Sequence, residues 1–223
     1  VPALKSPPLR ILITAGPTRE MLDPVRFISN VSTGHMGYSL AHVAAMKGHK
    51  VTMISGPTPL HPPLKVVFYS IVSAEELKCA CERLFEECDV LVMVAAVCDF
   101  TAEKSQSHKI KRVKIKSLRL RQTPDIVAGL AKKKKNRIVI GFCLETQDWL
   151  NNAKQKIKRK SLDGIVANYY SGAHIPFGDR KINTAFLDDQ GTTQHLKHKS
   201  KRVISQALMR WIESIHKKKF PKG

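Results

Sequence analysis

The chain is predicted to fold as α/β, with a doubly wound and mostly parallel sheet from which a β-ribbon projects. Three observations carry this. Strand-like and helix-like segments alternate along nearly the whole length. The strand segments are near-continuous apolar runs, as in Ile11–Ala15 and Val90–Ala96, and such runs belong to parallel strands covered on both faces. Hydrophobic residues make up 43% of 223 residues, enough for one sizeable core, so a single domain over 1–223 is expected.

The elements follow in order. Strands are predicted at Ile11–Ala15, Lys50–Ile54, Val66–Tyr69, Val90–Ala96, Arg137–Cys143 and Gly164–Ala167. The first helix, Met36–Lys47, carries apolar residues at Met36, Leu40, Val43 and Ala44, with Ser32 or Thr33 able to cap it. Further helices are predicted at Ala74–Glu87, Pro124–Lys133, Asp148–Lys160 and Arg202–Lys217. The third of the five opens on Thr123 as cap and Pro124 in the first turn. Lys181–Leu187 and Thr192–Leu196, joined across Asp188 to Gly191, read as a hairpin closing the sheet. Residues 101–122 break the alternation. They are basic, and Ile110, Val113, Ile115, Leu118 and Leu120 alternate with polar residues, which predicts the projecting ribbon, a flap or a dimer arm. The fold expected is thus Rossmann-like.

Composition excludes several classes. No apolar run approaches the ~20 residues of a membrane helix, and the opening segment lacks the apolar centre of a secretory leader. A cytoplasmic location without membrane contact is expected. Five cysteines without a C-x-x-C pair read as buried free thiols rather than a zinc site. The net charge is +20, much of it in the runs Lys132–Lys135, Lys154–Lys160, Lys197–Arg202 and Lys217–Lys219. Such charge draws phosphate backbones non-specifically. With eight Phe, four Tyr and two Trp, few of them interleaved with the lysines, and no nucleic-acid-binding signature, no specific nucleic acid is expected. The lysines read as solvated surface, with a few serving an anionic substrate.

The candidate site begins at residues 23–37. The first strand runs into this loop, which ends on Gly34 and Gly37 ahead of the first helix. Open N–H groups at a helix start form an anion site, and the carboxyl ends of parallel strands are where such sheets bind ligands. Thr14 to Thr18 is not G-x-G-x-x-G, which argues against a dinucleotide-dependent oxidoreductase, kept as the alternative class. Asp99 ends the fourth strand, as a ligand acceptor or a turn cap. Lys109 lies in the ribbon, as a clamp on an anion or a solvated edge. Pro124 to Val127 open a helix toward a ligand. Phe142 ends a strand, as a stacking surface or core residue. Lys156 and Lys160 share a helix face, which is most often simply solvated. Asn168 ends another strand, and His35 is the one histidine near this chemistry.

Seven motifs, from TAGPTREMLDPVRFISNVSTGHMG through AAVCDF, HKIKR, TPDIVAGL, GFCLET and KQKIKRK to DGIVAN, together resemble bacterial phosphopantothenoylcysteine synthetase over about Arg10 to Leu187. The resemblance is to a stand-alone form of this phosphopantothenate–cysteine ligase, without the flavin decarboxylase half. It implies that CTP, with Mg²⁺, activates 4′-phosphopantothenate as an acyl-cytidylate. Pyrophosphate leaves, and L-cysteine then displaces CMP, in coenzyme A biosynthesis. No flavin is implied. Asn30 and Lys109 are the implied catalytic residues. Arg26, Asn30, Ser32, Gly34, Met36 and Ala96 are the implied substrate contacts. Met93, Val94, Ala95, Asp99, Lys109, Pro124, Asp125, Ile126, Val127, Phe142, Lys156 and Lys160 are the implied CTP contacts. The family pattern also implies a homodimer whose flap reaches the partner's site. Pro17, His35 and Cys98 depart from the family's usual glycine, lysine and small residue.

Overall fold

The computed structural model describes residues 7–111, 117–171 and 175–221. Its elements in chain order are β1 (Arg10–Ala15), β2 (Arg19–Met21), β3 (Phe27–Ser29), α1 (His35–Met46), β4 (Lys50–Ser55), β5 (Val66–Ser70), α2 (Ala74–Phe85), β6 (Val90–Met93), β7 (Phe100–Ala102), β8 (Leu120–Gln122), α3 (Ile126–Ala131), β9 (Ile138–Glu145), α4 (Trp149–Lys160), β10 (Gly164–Tyr169), β11 (Ile182–Asp188), β12 (Thr193–Lys199) and α5 (Lys201–Lys219). Eight strands form one sheet in the order β12-β11-β10-β9-β6-β1-β4-β5. The six strands from β10 to β5 are parallel, and β11 and β12 complete the sheet antiparallel. The parallel strands, taken in chain order, lie as 3-2-1-4-5-6, so the winding reverses between β1 and β6. The α/β, doubly wound reading of the sequence is what the chain adopts. Among the described residues, no helix is long and apolar enough to cross a membrane.

Alternation along the strands builds two cores. In β1, Ile11 and Ile13 face α1 and α5, in a cluster with Leu40, Ala44, Leu208 and Ile212. Leu12 faces the other way, in a cluster with Leu77, Phe85, Leu130 and Ile157 from α2, α3 and α4. Gly37 sets the approach of α1. A Cβ there would lie 2.6 Å from the Ala15 Cβ, so only glycine lets the helix start sit directly on the end of β1. Glu213 ties α5 to α1 through Lys47 at 2.6 Å and His49 at 2.9 Å.

Several boundaries differ from the sequence expectations for physical reasons. Strand β6 stops at Met93, not Ala96, because the Thr14 hydroxyl accepts from the N–H groups of Val94 (3.1 Å) and Ala95 (3.0 Å) and turns the chain out of the sheet. Helix α3 begins at Ile126, with Asp125 as its cap accepting from the Ala128 N–H, while the Thr123 hydroxyl donates to the Cys98 carbonyl. Helix α1 is capped by neither Ser32 nor Thr33. Its cap is Gly34 at φ 79°, and no side chain bonds its first turn. The short hairpin β2–β3 was not anticipated.

The ribbon has a short antiparallel base, β7 on β8, with Glu103 N–H on the Arg119 carbonyl beyond it. Val113 and Ile115 lie outside the described residues. Ile110 is docked elsewhere: its N–H donates to Asp23, and its carbonyl accepts from Arg26, at 3.1 and 2.8 Å. Arg26 also pairs with the buried Asp23 at 2.5 Å. Arg26, together with the N–H groups of Val25, Ile110 and Arg26 itself, holds the Asp23 carboxyl well below the usual carboxylate range. A depressed carboxylate contributes stability above its unfolded pKa, and loses it as pH falls through the lower folded pKa. Asp23→Asn is therefore expected to speed amide exchange of Ile110 and Val25 at pH 7, with little effect at pH low enough to protonate Asp23 in the wild type. Equal exchange in both proteins at pH 7 would show that Asp23 does not hold this segment.

Candidate functional site

The reversal between β1 and β6 opens a cleft, because the loops leaving these two strands go to opposite faces of the sheet. Two backbone bonds and one to a side chain zip the loops together at the base of this opening. Ala96 N–H donates to Gly16, and Thr18 N–H to Ala96, at 2.9 and 3.2 Å. The Thr18 hydroxyl accepts from Cys98 N–H at 3.0 Å. The resulting cleft measures about 730 Å³ and runs from Asn30 and Ser32, past Met93, Ala95 and Ala96, to Asp99, Pro124–Val127, Phe142, Lys156 and Lys160. A second cavity of about 50 Å³ adjoins it and is lined by residues 32–37, Val94, Phe177 and Lys201. Ser32 and Phe177 line both, so the small cavity is the inner end of the large one.

The small cavity sits at the start of α1. The hydroxyl of Ser32 accepts from the Gly34 N–H at 3.4 Å, and the His35 ring Nδ1 lies 3.0 Å from the Thr33 hydroxyl. Helix α1 has no acidic residue in its first turn. Lys201 approaches from the other side, and it is only 5% exposed.

The outer end carries Lys156 and Lys160, one turn apart on α4 as the sequence suggested. Neither is free. Lys156 pairs with Glu145 at 2.5 Å, and Lys160 with Asp125 at 2.9 Å. This end is rich in hydrogen-bonding groups and close to neutral. Phe142 is half-buried, packs on the core and also lines the cleft, so both readings of it apply. Asn30 lies at the junction of the two cavities. Its amide NH₂ donates to the Ala96 and Val97 carbonyls, both at 3.0 Å, which leaves its oxygen as the group able to meet a ligand. Both donors of this amide are thus used within the protein. Cys143 also lines the cleft, but burial pushes its thiol up to about 12, so it stays protonated at neutral pH.

Three anticipated site residues are elsewhere. Arg26 is engaged with Asp23 and Ile110, and it does not line the cleft. Lys109 is exposed next to that docked segment and lines neither cavity. Asn168 lies at the end of β10, outside the cleft lining. Lys201, Glu145 and Phe177 belong to the site but were not anticipated. Lys201 hid in a basic run, and Glu145 stood inside a quoted motif without a role. Among the described residues, no group of three or more His, Cys, Asp and Glu side chains is placed to hold a metal ion.

Comparison with known proteins matches residues 8–215 to the DNA/pantothenate metabolism flavoprotein C-terminal domain. The chain is 41% identical over 209 residues to a cysteine/cysteine sulfinic acid decarboxylase from an unknown prokaryotic organism, covering 92% of this chain and 58% of that protein. It is 40% identical over 210 residues to the coenzyme A biosynthesis bifunctional protein CoaBC of Bacillus subtilis strain 168, covering 93% of this chain and 52% of that one. The chain thus spans about half the length of these relatives. Among solved structures, the C-terminal domain of a coenzyme A biosynthesis bifunctional protein CoaBC superposes with TM-score 0.81 at 33% identity, covering 94% of this chain and 96% of that one. A structure described as Cab2 mutant H337A in complex with phosphopantothenate-cysteine shares the fold at TM-score 0.78 and 18% identity, covering 95% and 87%.

These findings correct the functional assignment made from motifs. The family matched is a flavoprotein family, and the first of the relatives above is named a decarboxylase, so the stand-alone CTP-dependent ligase is set aside. With it go the acyl-cytidylate route, CTP and Mg²⁺, the carbon–nitrogen ligase class and the flap-exchanging homodimer. The expectation of no flavin is likewise overturned at the level of the family. The site agrees on one point: the lysines assigned to a triphosphate are already neutralised by Glu145 and Asp125.

Proposed function

We propose a substrate for this cleft from one premise: the chain belongs to the family of DNA/pantothenate metabolism flavoprotein C-terminal domains. The cleft takes phosphopantothenoylcysteine, the compound named with one structure of the same fold, and the chain is the part of a coenzyme A biosynthesis enzyme that holds it. One observation carries this reading. A cavity with room for one small anion, at a helix start, opens directly into a long cleft of mixed polarity. Phosphopantothenoylcysteine has the matching shape, with a phosphate at one end of a flexible chain of amides and methylenes. Its phosphate enters the small cavity. The amide-bearing chain passes Asn30, whose free oxygen accepts an amide N–H. The cysteinyl carboxylate lies toward Lys156 and Lys160, which can share their protons with it. All five cysteines are free, in keeping with a cytoplasmic location, where thiols stay reduced.

The family name brings a flavin, and decarboxylation is the reaction in one relative's name. The residues of this cleft do not fit the flavin. A flavin ring needs donors along its pyrimidine edge, but the side-chain donors of the cleft centre, the Asn30 amide and the Thr123 hydroxyl, are spent on protein carbonyls. We therefore assign no flavin step to these residues, and place that chemistry in the remaining length of the relatives.

Calorimetric titration with phosphopantothenoylcysteine, without metal or nucleotide, is expected to show one site. Pantothenoylcysteine, which lacks the phosphate, should bind at least about tenfold more weakly, since charge-assisted hydrogen bonds contribute roughly 1.5–3 kcal/mol. No binding, or equal affinity for the two, overturns the reading. Adding flavin mononucleotide to the chain and this ligand should release no carbon dioxide. Release would overturn the placement of the flavin chemistry outside the chain.

A further inference from the structure

We propose that Lys201 is a phosphate ligand, binding the anion in the small cavity jointly with the open N–H groups at the start of α1. The inference deepens the reading above and rests on it for the identity of the ligand.

Lys201 is the first residue of α5. The Ser200 hydroxyl caps that helix by accepting from the Val203 N–H, which fixes where the lysine leaves the backbone. Its side chain runs inward and is 5% exposed. The ammonium donates to the Pro176 carbonyl at 3.0 Å and to the Gly178 carbonyl. Both acceptors are neutral. Among the described residues, no carboxylate lies within ion-pair distance, and Asp179 acts on it only from further away. Burial pushes the Lys201 pKa down from its ordinary value, as expected for a cation taken out of water. An ammonium has three donors, so one direction remains.

That direction matters because of what lines the rest of the cavity. The N–H groups of His35, Met36 and Gly37 meet no acceptor among the described residues, and Gly34 brings no side chain to cap them. One wall thus carries a buried cation without a counter-charge, and the other a fan of part-buried donors without an acceptor. Buried donors are almost always paired, and buried charge is costly unless compensated. Both deficits are removed by a single anion. A phosphate suits this better than a carboxylate. Its tetrahedral oxygens can meet a helix start and an ammonium at once, and about 50 Å³ holds one such group. The loop held by Lys201 completes the cavity: Pro176 and Phe177 line it, and the Gly178 N–H donates to the Thr33 hydroxyl at 3.0 Å.

The competing reading makes Lys201 a staple for the 176–178 loop and nothing more. Nuclear magnetic resonance separates the two. In the wild type, titration with inorganic phosphate is expected to shift the amides of His35, Met36 and Gly37 and the Lys201 ammonium along one saturation curve. Amide shifts without a response at the ammonium overturn the proposal, as does the absence of any phosphate response, and neither requires a variant. Lys201→Met should then weaken inorganic phosphate and phosphopantothenoylcysteine by about ten- to a hundredfold. Lys201→Arg should retain most of the affinity. Pantothenoylcysteine should bind Lys201→Met as it binds the wild type. Equal loss for phosphorylated and unphosphorylated ligands would make Lys201 a staple only. If inorganic phosphate binds with the expected Lys201 dependence while phosphopantothenoylcysteine does not bind, the ligand named above is wrong and the role of Lys201 stands.

Discussion

Asp163→Ala is expected to lower the unfolding free energy by about 3 kcal/mol, the lower end of the range for breaking a buried ion pair. Asp163 sits between α4 and β10 and is 4% exposed. One oxygen accepts from Lys134 at 3.0 Å and Lys219 at 2.6 Å, and the other from the Val139 N–H at 2.8 Å. A single carboxylate thus joins the segment after α3, the end of α5 and the start of β9. Alanine leaves the Val139 N–H buried without this acceptor and two ammonium groups facing each other. The lysines are 23% and 33% exposed, so water recovers part of their loss, which is why the lower figure applies. Asp163→Asn keeps an acceptor and should cost less. The site lies at the other ends of the strands, so ligand affinity should stay within about twofold, as for distant and independent sites. Urea unfolding measures the first effect and calorimetry the second. A loss under about 1 kcal/mol, the worth of a surface pair, would show that Asp163 is only a surface partner.

Gly34→Ala is expected to weaken phosphorylated ligands by a hundredfold or more. Gly34 holds φ 79°, where an alanine costs roughly 1–2 kcal/mol. Its added Cβ would also lie 2.7 Å from the Thr58 methyl. Thr58 cannot easily yield, because its hydroxyl donates to Tyr38 and accepts from the Leu60 N–H. The chain must shift just where the N–H groups of α1 converge. Losing two charge-assisted bonds of about 1.5–3 kcal/mol each accounts for the size of the effect. Gly129→Ala supplies the contrast. That glycine is in α3 with nothing within 4 Å of a new Cβ, so the exchange should raise stability by up to about 1 kcal/mol and leave binding unchanged. Unaltered phosphate affinity in Gly34→Ala would remove the helix start from the binding site.

The lysine runs show the limit of reading charge locally. Lys132–Lys135, Lys154–Lys160, Lys197–Arg202 and Lys217–Lys219 look alike as solvated surface. In the folded chain, Lys134 and Lys219 converge on Asp163, Lys156 and Lys160 end the cleft, and Lys201 is buried at its inner end. Nothing within four residues of Lys201 distinguishes it from Lys199. What differs is the loop 176–178, more than twenty residues away, whose carbonyls receive it. Lys109 errs in the opposite direction. A basic ribbon suggested a clamp over the ligand, but Asp23 and Arg26 take the neighbouring Ile110 and set Lys109 outside the cleft. The functional assignment failed for a related reason. Motifs at strand ends mark where a ligand sits, while the reaction depends on what the ligand is and on groups that no local motif contains.

The sequence by itself determined the α/β class, the strands of the parallel sheet, and the glycine loop at the first helix start. These rest on period, apolar runs and backbone freedom, which act between residues close along the chain. The tertiary structure alone decided where β6 leaves the sheet, which carboxylates neutralise which lysines, and that one buried ammonium faces an open helix end. Each of those is a contact across many residues, from Thr14 to Val94, from Asp125 to Lys160, from Lys201 to the 32–37 loop. Such contacts are set by packing geometry, since a hydrogen bond or ion pair depends on distances of a few tenths of an ångström, which spacing along the chain does not encode.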